Sequence, residues 1–344
     1  MTSNYSFKQS FSFTHQPKLV YDLGMSSTKF DISIFITNWN GYSHGYIQEA
    51  FPSIRKAVSN YSKGRCEIIV VDDISSDESA EWIKKNYPEF KLLIPEKNLG
   101  YQEASNFAVK NCKYDILISL NNDIKLEKNV LNKIVEHFND PLVFAVSTKV
   151  YLWDEKTYLA GHRYAEIKHG LFLLHDSGDI ISNIRMTLFA TGGAAAFRKE
   201  MYLKLGGFQR IFHPLYWEDI DLCYRALKRD WKVLYDPNCI MYHKHQATIR
   251  KMYDPKNLGL ITARNSYIFF WKNITDKKFL FEHLIYTFIF HIRDLFKMRF
   301  RFITATFMAL SRIRQILKLR LEEKREGFQL SDREVLDILK KEKI

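Results

Sequence analysis

Four cysteines in 344 residues, Cys66, Cys112, Cys223 and Cys239, with no CxxC pair, are too few for a disulfide framework or a zinc ribbon. Their surroundings read as strands or helix faces, so buried free thiols and a reducing compartment are expected. The chain also lacks a GxGxxG turn and a Walker A loop, which sets aside dinucleotide oxidoreductases and P-loop nucleotidases. Met1 to Gly24 is polar and aromatic without a continuous apolar core, so it is not expected to act as a signal peptide. In the C-terminal part no uncharged run reaches the roughly 20 residues that a bilayer span needs. Internal repeats and low-complexity tracts are missing as well.

What is present is apolar, aromatic and basic. Hydrophobic residues make up 46% and aromatics 15%, with a formal net charge of +12. A sizeable core is therefore expected, together with acidic partners: nucleotides, nucleic acid or an anionic membrane face. The charge is uneven. Lys272 to Arg325 holds thirteen Lys/Arg against five Asp/Glu, a surplus of eight out of the total twelve. In the same region Phe296, Phe300, Ile303, Phe307 and Leu310 recur at four and three residues, one apolar helical stripe beside Arg293, Lys297, Arg301, Arg312 and Arg314. That pattern suits a basic amphipathic surface on an anionic leaflet. An ordinary helical subdomain, packed on the core or on a second subunit, would show it too.

Strand and helix signals alternate through the first half. Asp31–Asn38 reads as a strand ending in polar residues, followed by a helix from Gln48 to Tyr61. Glu67–Val71 is nearly all apolar, as a strand buried on both faces should be. It stops on Asp72-Asp73, and a helix follows from about Glu78 with Asp77 as its N-cap. Lys91–Ile94, a helix from Gln102 to Asn111, and a strand from Asp115 to Leu120 complete a doubly wound, mainly parallel α/β pattern. Beyond it, Phe144–Val150 reads as a strand and Tyr151 to Arg185 as an irregular segment. Thr191 to Phe197 reads as a close-packed strand or turn where something approaches the backbone. Trp217-Glu218-Asp219-Ile220-Asp221 opens a helix, and Lys232–Tyr235 and Ile240–His243 read as two strands.

In such sheets ligands gather outside the carboxyl ends of the strands, where this chain puts its carboxylates. Asp72 is placed to accept a ring N–H from a nucleobase. Leu120-Asn121-Asn122-Asp123 ends a buried strand on a polar triplet, a common way to hold a metal-bound diphosphate, although the same residues also make ordinary turns. Asp219 is a candidate general base, and its neighbours Glu218 and Asp221 should raise its proton affinity. Acids at a helix N-terminus are equally good capping residues. His243 or His245 could offer a neutral imidazole to a metal.

Six segments in order resemble a family 2 glycosyltransferase of the GT-A fold, in the branch similar to bacterial rhamnosyltransferases and polysaccharide enzymes. They are Ile34 to Gly41, Val70 to Asp77, Asn98 to Asn106, Leu120 to Asp123, Gly192-Gly193 through Glu218 to Leu222, and Tyr242-His243 through Thr248. A looser match falls at Phe328 to Glu334. The resemblance implies a Rossmann-like, mainly parallel central sheet flanked by helices, with a C-terminal helical extension. It divides the chain into an arm at 1–29, a GT-A domain at 30–270 with its halves meeting at 125/126, and a basic tail at 271–344.

It further implies a nucleotide pocket lined by Thr37, Asn38, Asp72, Gly100, Asn106, Asn121 and Asn122. Asp123 with His243 would hold Mg²⁺ or Mn²⁺, Asp219 would be the base, and Trp217 and Glu218 would face the acceptor. The implied reaction moves a sugar, with inversion, from a UDP- or dTDP-sugar to a glycan or lipid-linked hydroxyl in cell-surface polysaccharide synthesis. The setting would be cytoplasmic and peripheral on the inner face of the membrane, and the tail could pair two copies. Asn121 departs from the Asp-x-Asp metal motif of the family, so a catalytically degenerate membrane scaffold is one alternative. A nucleotidyltransferase is another, but Thr37 to Gly41 is not its phosphate loop. Nucleic-acid binding is not expected, because the basic residues gather in the Phe-striped tail.

Overall fold

The computed structural model describes residues 29–244 and 254–342. The N-terminal arm, all but its last residue, and His245 through Thr248 lie outside the described residues. The first half alternates as its sequence suggests: β1 Ile32–Asn38, α1 Tyr46–Ser59, β2 Cys66–Asp72, α2 Ser79–Asn86, β3 Lys91–Leu93, α3 Tyr101–Asn111 and β4 Ile116–Asn121. After β5 Ile124–Leu126 and α4 Val130–Ile134 come β6 Val143–Leu152, β7 Tyr158–Ala160, β8 Arg163–Lys168, β9 Leu171–Asp176, β10 Arg185–Met186 and β11 Ala194–Arg198. α5 Lys199–Lys204, α6 Glu218–Leu227 and β12 Lys232–His243 precede five C-terminal helices: α7 Pro255–Asn273, α8 Lys277–Lys297, α9 Arg301–Leu310, α10 Ile313–Glu326 and α11 Asp332–Lys341.

The central sheet runs β10-β12-β6-β11-β4-β1-β2-β3, with β5 on β12 and β7 on β6. β4, β1, β2 and β3 are mutually parallel, and β11 enters antiparallel between β4 and β6. Side chains alternate between two cores. Phe35, Ile69, Val71 and Leu117 face α3, α6 and the C-terminal helices, whereas Ile34, Ile36, Val70 and Ile118 face α1 and α4. Burial on both sides is why these strands read as continuous apolar runs.

Four features differ from the sequence reading. The stretch from Tyr151 to Arg185 is not irregular: it holds β7, β10 and a β8–β9 hairpin that stands apart from the main sheet. The hairpin turns on His169-Gly170, both at positive φ, the two-residue geometry that matches strand twist. Lys232 to His243 is one strand with a register shift between Asp236 and Ile240, because the chain re-pairs with β6 after it. Asp77 is one residue early for an N-cap. Its carboxylate accepts the Ser79 N–H at 3.0 Å but also Ser43 N–H at 2.8 Å, so it stitches the β2–α2 loop to the approach of α1.

The fourth concerns the tail. The stripe from Phe296 to Leu310 is split where Met298 and Phe300 adopt left-handed φ values of 50° and 53°. The boundary drawn at 270 falls inside α7. The tail is tied to α6 over two turns of that helix. Asp221 accepts Lys272 Nζ at 2.7 Å, Asn273 Nδ2 at 2.8 Å and Arg225 Nε at 2.8 Å. Asp332, fully buried, accepts Lys228 Nζ and Tyr224 Oη at 2.8 Å and the Thr275 and Asp276 N–H groups. Charges buried this deeply persist only when paired and fully hydrogen-bonded.

Candidate glycosyltransferase site

At the carboxyl ends of β1, β2 and β4 short polar side chains interlock. Asn38 donates Nδ2 to Asp72 at 2.7 Å and accepts Asn122 Nδ2 at 2.8 Å. Asp72 also accepts the Ser75 N–H at 2.9 Å and hydroxyl at 2.8 Å, leaving lone-pair capacity for a ligand. Gly41 is required by this cluster, since a side chain there would collide with Asn38 and Asn122. Thr37 is partly exposed beside Asn121 in the β1–β4 register. Asp73, to which the sequence reading gave no role, binds the Leu99 and Gly100 N–H groups at 2.6 and 2.8 Å and so fixes the start of α3. Burial raises its pKa above the ordinary carboxylate value.

Asp123 and His243, 120 residues apart, meet because β12 pairs with β5. His243 lies opposite Ile124, and its Nε2 is 3.1 Å from Asp123 Oδ1. A carboxylate beside an imidazole, at the mouth of a cluster of neutral amides, is a donor set that fits Mn²⁺ or Mg²⁺ with phosphate oxygens completing the shell. The Asp123 carbonyl is held by Trp153 Nε1 at 3.0 Å. One three-residue group of potential metal ligands occurs among the described residues, His137 with Asp236 and Cys239, and it belongs to a hydrogen-bonded network elsewhere on β12.

Gly192-Gly193 joins this cluster to α6. Asn121 N–H donates to the Gly193 carbonyl at 2.9 Å, and a side chain at Gly193 would strike the Asn121 amide. On the other side Gly192 N–H donates to Asp219 Oδ2 at 3.2 Å. The close backbone approach expected at this segment is therefore present, with Asn121 as the group that approaches. Asp219 and Glu218 stand at the first turn of α6. Burial raises the pKa of Asp219, against the opposing pull of the Gly192 N–H and Arg163. Glu218 is raised by burial and then by the charge on Asp219, and Gln102 donates to it at 3.3 Å. Asp221, two residues on, is also buried, but Lys272 and Arg225 bring it below the usual carboxylate value.

Two expected ligand contacts are corrected. Asn106 gives its amide to the acceptor-half turn, accepting Tyr202 Oη at 2.9 Å and Phe208 N–H at 3.0 Å and donating to the Phe208 carbonyl at 2.7 Å. Those bonds clamp a turn rather than line a nucleotide pocket. Trp217 does not face outward: its ring packs 5.1 Å from Phe269 in the core and is 5% exposed. Its left-handed φ of 78°, following Tyr216 at 68°, directs the backbone so that the ring turns inward.

Three further residues escaped the sequence reading. Asn265 on α7 donates to the carbonyls of Phe212, Leu215 and Tyr216 at 2.8 to 2.9 Å, holding the strained turn that presents Glu218 and Asp219. Its neighbour Arg264 donates to the His213 carbonyl in the same loop at 2.6 Å. Arg163, from the hairpin, acts on Asp219 by charge and donates to Thr191 Oγ1 at 3.0 Å. No local motif marks these three, since each meets the site from a distant segment.

Fold and site together define a glycosyltransferase of the GT-A class. Residues 33–206, just over half of the chain, match the Glycosyl transferase family 2 model, and the chain belongs to that family. Among curated relatives, the O-antigen chain rhamnosyltransferase RfbN of Salmonella typhimurium is 25% identical over 64% of this chain and 68% of its own length. The O-antigen chain rhamnosyltransferase WbaN of Salmonella anatum is 26% identical over 59% of this chain and 64% of its own. The chain thus spans about two thirds of these relatives. Solved structures share the fold: S. aureus TarS 1-349 in complex with UDP-GlcNAc, with a TM-score of 0.51 and 17% identity over 87% of this chain and 93% of that one. GalNAc-T7 with UDP, GalNAc and Mn²⁺ has a TM-score of 0.53 and 16% identity over 72% and 49%.

Proposed function

We propose that this family 2 enzyme transfers a sugar, with inversion, from a UDP- or dTDP-sugar to a hydroxyl of a glycan or lipid-linked acceptor in bacterial cell-surface polysaccharide synthesis. It would work at the cytoplasmic face of an anionic membrane. The observation that carries the reading is the Gly192-Gly193 bridge, which ties Asn121, two residues before Asp123, to Asp219. A reacting centre between them would meet a cation site on one side and a base on the other. The names of the Salmonella relatives support the polysaccharide setting, and TarS bound to UDP-GlcNAc supports a nucleotide-sugar donor.

Thr37, Asn38, Asp72 and Asn122 would receive the nucleoside, with Asp72 accepting a ring N–H. Asp123 and His243 would hold Mg²⁺ or Mn²⁺, which supplies neutralisation of the charge on the departing diphosphate. Asp219 accepts the acceptor proton as the acceptor oxygen bonds to the anomeric carbon and the bond to diphosphate oxygen breaks. One displacement from the opposite face inverts that carbon. The raised pKa of Asp219, set by its burial, makes it a stronger base than a solvated carboxylate, and the Gly192 N–H and the charge of Arg163 oppose that rise. Glu218, protonated more readily than a solvated acid, leaves Asp219 as the single base of the pair.

A thermal-shift panel of sugar nucleotides with and without Mn²⁺ tests this. One donor is expected to stabilise the protein in a metal-dependent way. No shift with any UDP- or dTDP-sugar, on folded protein, would overturn the donor assignment.

A further inference from the structure

Along α8 the residues Phe281, Leu284, Phe288, Ile292, Leu295 and Phe296 recur at helical spacing on one face, and all are exposed. Leu284 is 68% exposed, Phe288 66% and Phe296 86%. The opposite face of α8 is the packed one: His283 and Asp294 are buried, and the Trp271 indole donates to His283 at 2.8 Å. The apolar face continues through Met298 and Phe300 into Phe307 on α9. An exposed surface of this size, in one contiguous stripe, marks a contact.

Charge identifies what covers it. Between Lys277 and Lys318 the exposed charged side chains are all basic, among them Lys277, Arg293, Lys297, Arg299 and Arg301. The two acids of this span are turned inward: Glu282 accepts the Gly170 N–H, and Asp294 accepts the Phe302 N–H that opens α9. Two copies joined through this face would set cation against cation, which disfavours a dimer. Large apolar side chains rimmed only by Lys and Arg match an anionic lipid surface.

We propose that α8 and the start of α9 lie in the plane of an anionic bilayer, with the Phe/Leu face in the acyl boundary and the basic rim on lipid phosphates. The inference rests on the transferase reading only for its purpose. The β8–β9 hairpin relates the two surfaces: its tip at Gly170 sits on His283 of α8, while Arg163 at its other end reaches Asp219. The six residues of β8 set Arg163, whose charge acts on Asp219, about 20 Å along the strand from the hairpin tip on α8. That reach suits an acceptor whose sugars project beyond the headgroups.

Vesicle flotation of the full chain tests the assignment. Vesicles with about 30 mol% phosphatidylglycerol are expected to carry the protein up, pure phosphatidylcholine about a tenth as much or less. Leu284→Ser with Phe288→Ser should cut the bound fraction about tenfold without moving the unfolding midpoint, since both side chains are exposed. Lys297→Glu with Arg299→Glu should remove the preference for anionic vesicles. Equal flotation on both lipids, or an undiminished Ser variant, would overturn the proposal. A dimer in sedimentation that the Ser variant dissociates, with no vesicle uptake, would overturn it in favour of a second copy. The donor-induced thermal shift measured on the same proteins separates failure of this surface from failure of the transferase reading.

Discussion

The two sides of α6 carry carboxylates in opposite states. Asp219 faces Gly192 and a single nearby cation, and its pKa is raised. Asp221 lies two residues away among Lys272, Arg225 and Asn273, and its pKa is lowered. One helix thus carries a carboxylate whose hold on a proton is strengthened beside one whose hold is weakened. The difference lies in the cations that reach each acid: Asp221 meets Lys272 from α7 and Arg225 from one turn along α6 itself, whereas Asp219 meets Arg163 from β8.

The largest contrast should come from changing each acid. Asp219→Asn is expected to lower transfer by about 10²–10⁴-fold while leaving donor binding and the unfolding midpoint intact. Asp221→Ala should do the reverse. Leaving Lys272 and Arg225 buried without their carboxylate should cost about 3–5 kcal/mol in urea unfolding. Wild-type turnover in the first variant would remove Asp219 as base, and an unchanged midpoint in the second would remove Asp221 as anchor.

Smaller effects sharpen the same contrast. Chelation, or His243→Ala, should abolish the metal-dependent part of a donor stabilisation that totals about 2.7 kcal/mol at donor a hundredfold above Kd. The acid limb of the transfer–pH profile should lie above the ordinary aspartate range, since Asp219 must be ionised and its pKa is raised. Arg163→Ala removes a cation that lowers that pKa, so the limb should move further up. A fixed limb would detach Arg163 from the base. Asp221 and Asp332 work the other way. Their lowered pKa values stabilise the fold above the unfolded carboxylate range, and that contribution is lost as pH falls through the lower folded values. Arg55→Ala, which opens the exposed pair with Glu89, is the control and should cost under about 1 kcal/mol.

How much of this was legible depended on the range of the forces involved. β1, β2 and β4 declared themselves, since strands buried on both faces must be apolar and must end where polar residues begin. The pairing of Asp123 with His243 was legible only as the order of motifs, because its cause is the β5–β12 register. The family resemblance put Trp217 toward the acceptor, yet a left-handed backbone turned it into the core. Asn265, Arg163 and the inward turn of Glu282 and Asp294 carried no local sign. Each depends on a segment that only folding brings close.

Asp332 has a consequence in time as well as space. During synthesis from the N-terminus, Lys228 emerges more than a hundred residues before the carboxylate that will hold it. Until residue 332 leaves the ribosome, the helix bearing Asp219 has a lysine destined for the interior and no counter-ion to bury with it. A chain that stops short of Asp332 is therefore expected to leave Lys228, at the end of the helix that bears Asp219, without the carboxylate it is buried against.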